Sequence, residues 1–566
     1  MRYDLVIRNG TVVDGSGLAG YRADVGVWHG RVASIGRIRD KGHEEIDAEG
    51  HVVTPGFIDG HTHMDAQVMW DPLGTCSCWH GVTTVVMGNC GFTLAPARAD
   101  QRDLVVRNLE RAEDISRDAM AAGIDWTWET FPEYLDTVER LPKGINYAAN
   151  VGHSALRTWA MGERAFEHEA TDDDLVVMER ELRDALRAGA VGFTTSRSVN
   201  HETPDGHPVA SRLASWDEVC RLVGVMSDLG VGIFEIAHDR AVFSADPVER
   251  ADAADRMRSL AVSSGVPFTF GVLTTADDEW RRRLELIDST ADAGGRMFGQ
   301  THGREFSILM SFKTRLPFDA LPEWREVRQL PLEEQRRALL DPAVRRRLVD
   351  AANHGEYRRG IGTETRPPEY QWIRVLEHAL PPNRTVAEMA AERGTDPVET
   401  MIDLGLETGF DQFFVQTILN RNPENVLAAM KHPRTVMTFS DSGAHVSQIM
   451  DSSLATHLLA YWVRDRQAFT LEEAVRMLTL APATAWGFAD RGLLREGMVA
   501  DLNVFDPERV APQIPTVERD LPAGAKRLKQ MSTGFLATVV GGDVVLRSGE
   551  HTGALPGRLL RGPRTQ

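Results

Sequence analysis

The chain has 566 residues, a formal net charge of −19 at pH 7, and 42% hydrophobic and 26% charged residues. That length exceeds one ordinary domain, so one large domain plus a smaller one is expected, with a sizeable core. The acidic balance argues against nucleic acid, whose phosphates need clustered basic residues. Four cysteines make no disulfide framework in a chain of this size. The N-terminus reads as a strand rather than a signal peptide, and no run of about 18 apolar residues suggests a membrane span. A cytoplasmic address is the resulting expectation.

In chain order, the first 50 residues read as short strands. Leu5-Val6-Ile7 and Thr11-Val12-Val13 flank Asn9-Gly10. Val25-Gly26-Val27 and Val32 to Ile35 follow, with Asp14-Gly15 and Gly30 as further turn signals. Near the other end, Ala500 to Phe505, Ala537 to Val540 and Val544 to Leu546 have the same style. The two ends are expected to pair into one small sheet domain, with the middle inserted between them.

That middle alternates strands and helices, which implies a parallel sheet with crossover helices. Eight strand candidates are Val52 to Ile58, Thr83 to Met87, Asn146 to Val151, Ala190 to Thr195, Gly232 to Ile236, Pro267 to Phe270, Arg296 to Gln300 and Thr435 to Phe439. Eight βα units predict a closed (β/α)8 barrel of the TIM type with a small β-sandwich made from both termini. Thr171 to Asp174 is expected to cap a helix running to about Gly189, and Thr470 with Glu473 to cap one running through Leu480. The predicted division is residues 1–55 and 489–566 for the sandwich and 56–488 for the barrel. Within the barrel, a stretch at about 304–434 is too long for one loop and reads as an inserted subdomain over the barrel mouth.

Three motifs can do chemistry. Gly56 to Asp65 follows an apolar strand directly, and on an extended segment residues i and i+2 share a face. His61 and His63 therefore point the same way, as two imidazoles suited to a divalent metal. Cys90, in Val85 to Gly91, sits past the second strand at the same barrel end. A buried cysteine is most often a small packing residue, but opposite a histidine pair its thiolate is a strong zinc ligand. Asp441, in Thr438 to His445, ends the last strand and would meet His61 and His63 where a barrel closes. A carboxylate beside a metal can take a proton from water and pass it to a leaving amine. His445 is divided between supporting the site and a structural use.

The segments Val6 to Gly15, Pro55 to Asp65, Gly81 to Gly91, Phe439 to His445 and Gly497 to Leu502 together resemble the N-acyl-D-amino-acid deacylase (D-aminoacylase) branch of the amidohydrolase superfamily. The likeness covers almost the whole chain. It implies a barrel flanked by a β-sandwich, zinc (one ion or two), and hydrolysis of the linear amide of N-acyl-D-amino acids, the partner being a small N-acyl amino acid or related amide; charge and hydropathy give no nucleic acid or membrane partner. A homo-oligomer is left open. It also implies ligands from His61, His63, Cys90 and Asp441 and a histidine from each of strands five and six. His238 matches at strand five. Strand six, Pro267 to Leu273, has no histidine, and the usual lysine beyond it is missing. His302, His153 and His201 are candidate replacements without a spacing argument.

Only six lysines occur in the chain, so the substrate carboxylate is expected to meet arginine, the better bidentate partner. Arg197 beyond strand four is preferred, with Arg240 and Arg304 as alternatives. Two rival readings stand. One is a cyclic amidase of dihydropyrimidinase type, which needs a strand-four lysine that Val191 to Arg197 lacks. The other is a non-catalytic barrel scaffold.

Overall fold

The computed structural model describes residues 3–357 and 366–563. The chain opens with β1 (Tyr3–Val12), β2 (Tyr21–Trp28), β3 (Arg31–Gly36), β4 (Gly42–Asp47) and β5 (Val52–Pro55). β1 pairs antiparallel with β2 and parallel with β4 and β5. Asn9-Gly10, expected as a turn, lies inside β1 as an irregularity between Ile7 and Gly10. Asn9 takes a left-handed φ of 60° there, and its backbone N–H donates to Asp24 Oδ1 at 3.0 Å. Asn tolerates that conformation, so the strand bulges instead of reversing.

The predicted strand Val52 to Ile58 is two strands. β5 stays in the terminal sheet, while β6 (Phe57–Asp59) is the first barrel strand. The chain changes sheets at Gly56, where a Cβ would lie 2.2 Å from Thr83 Oγ1, so only glycine passes there unhindered.

From β6 the barrel continues through β7 (Val82–Met87), β8 (Asn146–Ala149), β9 (Val151–Gly152), β10 (Gly192–Thr195), β11 (Ile233–Ile236), β12 (Phe268–Gly271) and β13 (Met297–Thr301). β8 pairs with β7 and β9 with β10, so these two short strands are one barrel strand broken at Asn150. All six residues of β7 are buried, as expected for a parallel strand covered on both faces.

After β13 come β14 (Phe306–Met310), three helices between 322 and 354, β15 (Ile373–Val375), two helices between 386 and 407, and β16 (Phe414–Leu419). β14, β16 and β15 form their own antiparallel sheet, and Met310, Phe318, Trp324, Leu348, Ile373 and Met401 share a separate apolar cluster. The arginine-rich stretches lie on helices here, with Arg345 on Asp403 at 2.6 Å and Arg347 on Glu326 at 3.0 Å. The helix Pro423–Lys431 returns to the barrel, where Val426, Ala429 and Met430 join its core.

The last barrel strand, β17 (Thr435–Met437), pairs with β13. The ring closes on β6 through Gly60 N–H to Thr438 Oγ1 at 2.6 Å and a parallel bridge of Thr62 with Ser442. The structure is thus an α/β barrel with a terminal β sheet. Beyond it, β18 (Leu502–Phe505) pairs with β5, and Phe535–Val540 and Asp543–Arg547 extend the terminal sheet. Its core includes Leu5, Ile7, Val25, Val27, Val504 and Val539. A side excursion from this part reaches the barrel mouth. Leu528 N–H donates to the Val446 carbonyl at 2.7 Å, and Arg527 lies 3.3 Å from Asp71.

Helix ends follow local chemistry. Thr171 and Asp174 form a capping box, and that helix stops at Gly189 with φ 112°. Thr470 and Glu473 do the same, but their helix ends at Leu478 and a second one, Leu480–Trp486, begins after Thr479.

Candidate metal centre

His61 and His63 lie just past β6 with Thr62 between them facing away, its hydroxyl on the Val86 carbonyl at 2.9 Å. Two features aim this segment. Buried Asp59 accepts from His61 N–H at 3.1 Å, Thr438 Oγ1 at 2.8 Å and Phe439 N–H at 3.2 Å, tying the first strand to the turn after the last. Gly60 lets the Trp486 ring pack against the backbone, since a Cβ there would come within 2.3 Å of it.

Both imidazoles are buried, and each has its outer nitrogen beside an acceptor. His61 Nδ1 is 2.6 Å from Gln300 Oε1, and His63 Nδ1 is 3.3 Å from Glu113 Oε1. The acceptor on His61 Nδ1 favours the tautomer whose Nε2 lone pair points inward, the arrangement metal-bound histidines use, whereas His63 Nδ1 has no hydrogen bond among the described residues. The inward Nε2 atoms lie 3.3 Å (His61) and 3.4 Å (His63) from Asp441 Oδ1. Cys90 Sγ is 3.5 Å from His61 Nε2. Among the described residues, the donor atoms of His61, His63 and Cys90 all lie within 4.8 Å of one another.

The His61–Asp441, His63–Asp441 and His61–Cys90 separations suit an ion, while Asp441 lies outside the group that the two histidines form with Cys90. A tetrahedral site with Zn–N and Zn–O near 2.0–2.1 Å and Zn–S near 2.3 Å has edges of about 3.3 Å between N and O and about 3.5 Å between N and S. The electrostatics agree. Burial opposes charge on Asp441, yet His61 and His63 hold its carboxyl well below the usual range. Burial also opposes a charged His61, but Cys90 and Asp441 outweigh it and push that imidazole up to about 10. His63 is held high by Glu113, Asp441 and Cys90 against the same burial. The anionic groups therefore favour positive charge at this point.

Cys90 and Asp441 both occupy left-handed backbone, with φ of 55° and 50°. Such strain is held where the surroundings over-determine it. Cys90 N–H donates to Glu235 Oε2 at 2.9 Å, the Gly91 N–H to Thr194 Oγ1 at 3.0 Å, and the Asp441 N–H to the His61 carbonyl at 3.2 Å.

The centre opens on a cavity of about 340 Å³ whose walls include His63, Cys90, Phe92, His201, His238 and Asp441. His238 is a wall residue, and its ring is not in the cluster of His61, His63 and Cys90. Burial is the main force lowering its pKa well below the ordinary value, with Arg283 and His201 adding to it. His201 and His445 also line the cavity. His201 Nδ1 is 2.7 Å from Ser196 Oγ, and burial pushes its pKa down to about 3. His302 does not line the cavity; it is buried behind it, 4.0 Å from Asp451. His153 is committed elsewhere, between Thr195 Oγ1 and Glu218 Oε1, each at 2.8 Å.

The arginine expectation requires correction. Arg197 is buried outside the cavity wall, its Nε on Asp239 at 3.0 Å and its terminal nitrogen on the Ala214 carbonyl. Desolvation makes a buried guanidinium seek such partners, and Asp239 supplies one. Arg240 is exposed and off the wall, and Arg304 is bound to Asp451 at 3.4 Å. The cavity arginines are Arg111, Arg283 and Arg366. Arg283 donates to the Gly271 carbonyl at 2.7 Å and Arg111 lies 3.3 Å from Glu202. Arg366 Nε is buried with no hydrogen-bond partner among the described residues.

Sequence reasoning passed over Glu235, Gln300, Glu113 and Arg366. The first two had a signal, because each is a polar residue inside an apolar barrel strand. Glu113 ends the helix Arg102–Glu113, and Arg366 lies in the insertion; neither has a spacing that ties it to the site.

The family model described as the amidohydrolase family matches residues 44–546. D-aminoacylase from Alcaligenes xylosoxydans xylosoxydans is 28% identical over 573 residues, covering 99% of this chain and 97% of that protein. A solved D-aminoacylase, from work on its binuclear metal centre, has a TM-score of 0.64 and 25% identity, covering 99% of this chain and 100% of that one. N-acyl-D-glutamate deacylase from Bordetella bronchiseptica, complexed with zinc and a phosphonate inhibitor, shares the fold with a TM-score of 0.65 at 24% identity, covering 99% of this chain and 100% of that one.

Proposed function

The chain belongs to the amidohydrolase family, and on that premise we propose that it is a zinc-dependent hydrolase that deacylates N-acyl-D-amino acids. The observation that carries the reading is the grouping of His61, His63 and Cys90, whose donor atoms lie within 4.8 Å of one another, with Asp441 Oδ1 beside both imidazoles at 3.3 and 3.4 Å. The D-configuration and the linear amide are supported by full-length likeness to D-aminoacylase. No lysine lies on β10, so a dihydropyrimidinase-type centre with a modified lysine has no support. A cavity reaching these donors favours an enzyme over a scaffold. We further propose a cytoplasmic setting, which four free cysteines support. No helix among the described residues is long and apolar enough to cross a membrane.

His61, His63, Cys90 and Asp441 would hold the ion. When bound, it supplies a Lewis acid that polarises an amide carbonyl and acidifies water. The Asp441 carboxylate takes a proton from the attacking water and gives it to the departing nitrogen. The water oxygen bonds to the acyl carbon, the C–N bond breaks, and a carboxylic acid and a free amine leave. His201 and His445 line the cavity as polar groups available to the substrate.

Arg366 is the side chain we assign to the substrate carboxylate, because its buried Nε has no partner among the described residues and it lines the cavity. Arg366→Met is expected to cost about 2 kcal/mol, roughly thirtyfold in KM, for an N-acyl-D-amino acid and far less for its neutral amide. Equal effects on both substrates contradict the assignment.

Zinc analysis tests the centre. The purified protein is expected to carry about one tightly held zinc per chain, and Cys90→Ala to lose most of it, because thiolate is the strongest zinc donor present. Full retention in that variant returns Cys90 to a packing role.

A further inference from the structure

Glu235 lies on β11, buried to 2% exposure, among Ile233, Phe234 and Ile236. A carboxylate in such surroundings costs several kcal/mol unless it is paired or fully hydrogen-bonded. Glu218 meets that requirement, and Asp59 meets it on one of its two oxygens. Glu218 has Arg157 and His153 at 2.5–2.8 Å. Asp59 receives three hydrogen bonds on one oxygen. Glu235 has no arginine or lysine beside it among the described residues. Its Oε2 accepts the Cys90 N–H at 2.9 Å, and its Oε1 faces Cys90 Sγ at 4.0 Å.

β12 reads Phe-Thr-Phe-Gly and carries no imidazole, thiol or carboxylate. On the neighbouring strand, Glu235 presents an oxygen on the Cys90 side of the histidine pair. Its separation from Sγ is about half an ångström above the tetrahedral edge of about 3.5 Å, within reach of a small side-chain rotation. Oε2 stays on the Cys90 N–H, so the strained Cys90 backbone is held while Oε1 is free to turn.

We propose that Glu235 Oε1 is a ligand of the metal centre, binding a divalent ion together with Cys90. This rests on the metalloenzyme reading above.

The test uses full-length protein stripped of metal and titrated with zinc alone or cobalt alone. Glu235→Gln keeps an oxygen acceptor for the Cys90 N–H and removes the anionic ligand. Removing an outer hydrogen-bond partner of a metal ligand costs about 10–100-fold in affinity. A ligand is expected to cost more, so the zinc Kd of E235Q should rise more than about 100-fold, and its cobalt absorption spectrum should change. Glu235→Asp, which draws the carboxylate back by one carbon, is expected to fall between E235Q and wild type, and it decides the matter if E235Q does not fold. A Kd rise below about 100-fold in the folded variant, or a cobalt spectrum identical to wild type, overturns the assignment while leaving the zinc reading intact. A wild-type chain that takes up no zinc overturns both.

Discussion

Asp441→Asn is expected to fold normally and to lose about 10²–10⁴ in kcat, the range for removal of a general base. The backbone argument comes first. Asp441 sits at φ 50° with its N–H on the His61 carbonyl. Asn is the residue that best tolerates that left-handed conformation after glycine, so the turn survives the substitution. The side chain keeps its size and one acceptor oxygen, but it has no charge to set against His61 and His63 and no basicity to accept a proton from water. Weakened metal binding would deepen the loss. Turnover within a few-fold of wild type, with metal retained, eliminates Asp441 as the proton carrier.

The second large effect is on stability. Arg157, Glu218 and His153 form a buried charged group in which Arg157 and His153 are fully inaccessible. The Arg157 guanidinium donates to both Glu218 oxygens at 2.5 and 2.7 Å and to the His168 carbonyl at 2.6 Å. Removing one partner of such a pair leaves an uncompensated charge in a low-dielectric interior, which costs about 3–5 kcal/mol. Arg157→Met is expected to lose that much in denaturant unfolding, with the zinc site chemically unaltered in protein that remains folded. A change within about 0.5 kcal/mol, the range for an ordinary surface substitution, contradicts it.

Much of this molecule is legible in its residues, and the exceptions share a cause. His61 and His63 are readable because strand periodicity is local: two residues on one strand end must face the same way. Asp441 is readable because a closed barrel brings its last strand beside its first. The same logic fails for Arg197, which position alone placed at the mouth. A guanidinium at a strand end can turn inward to the substrate or sideways to a carboxylate, and Asp239 from the next strand takes it sideways. That choice depends on a long-range neighbour. Arg366 shows the converse, since it reaches the cavity wall from an insertion with no periodic relation to the barrel. Asn9-Gly10 and Gly56 show the limit of local turn signals. The first makes a bulge within one strand, and the second marks a change of sheet. Glu235 was legible in principle, as a charged residue within an apolar strand. Its partner Cys90 is 145 positions away, so only the closed barrel shows what it faces.

The central claim is that this chain uses a bound metal to cleave N-acyl-D-amino acids. The most direct test measures zinc content and hydrolysis on one sample, with matched N-acetyl-D- and N-acetyl-L-amino acids as substrates. About one zinc per chain is expected, with release of free D-amino acid, little or no release from the L-enantiomers, and loss of activity on chelation that zinc restores. Equal rates on both enantiomers would contradict the assigned specificity, and full activity in metal-free protein would contradict the mechanism itself.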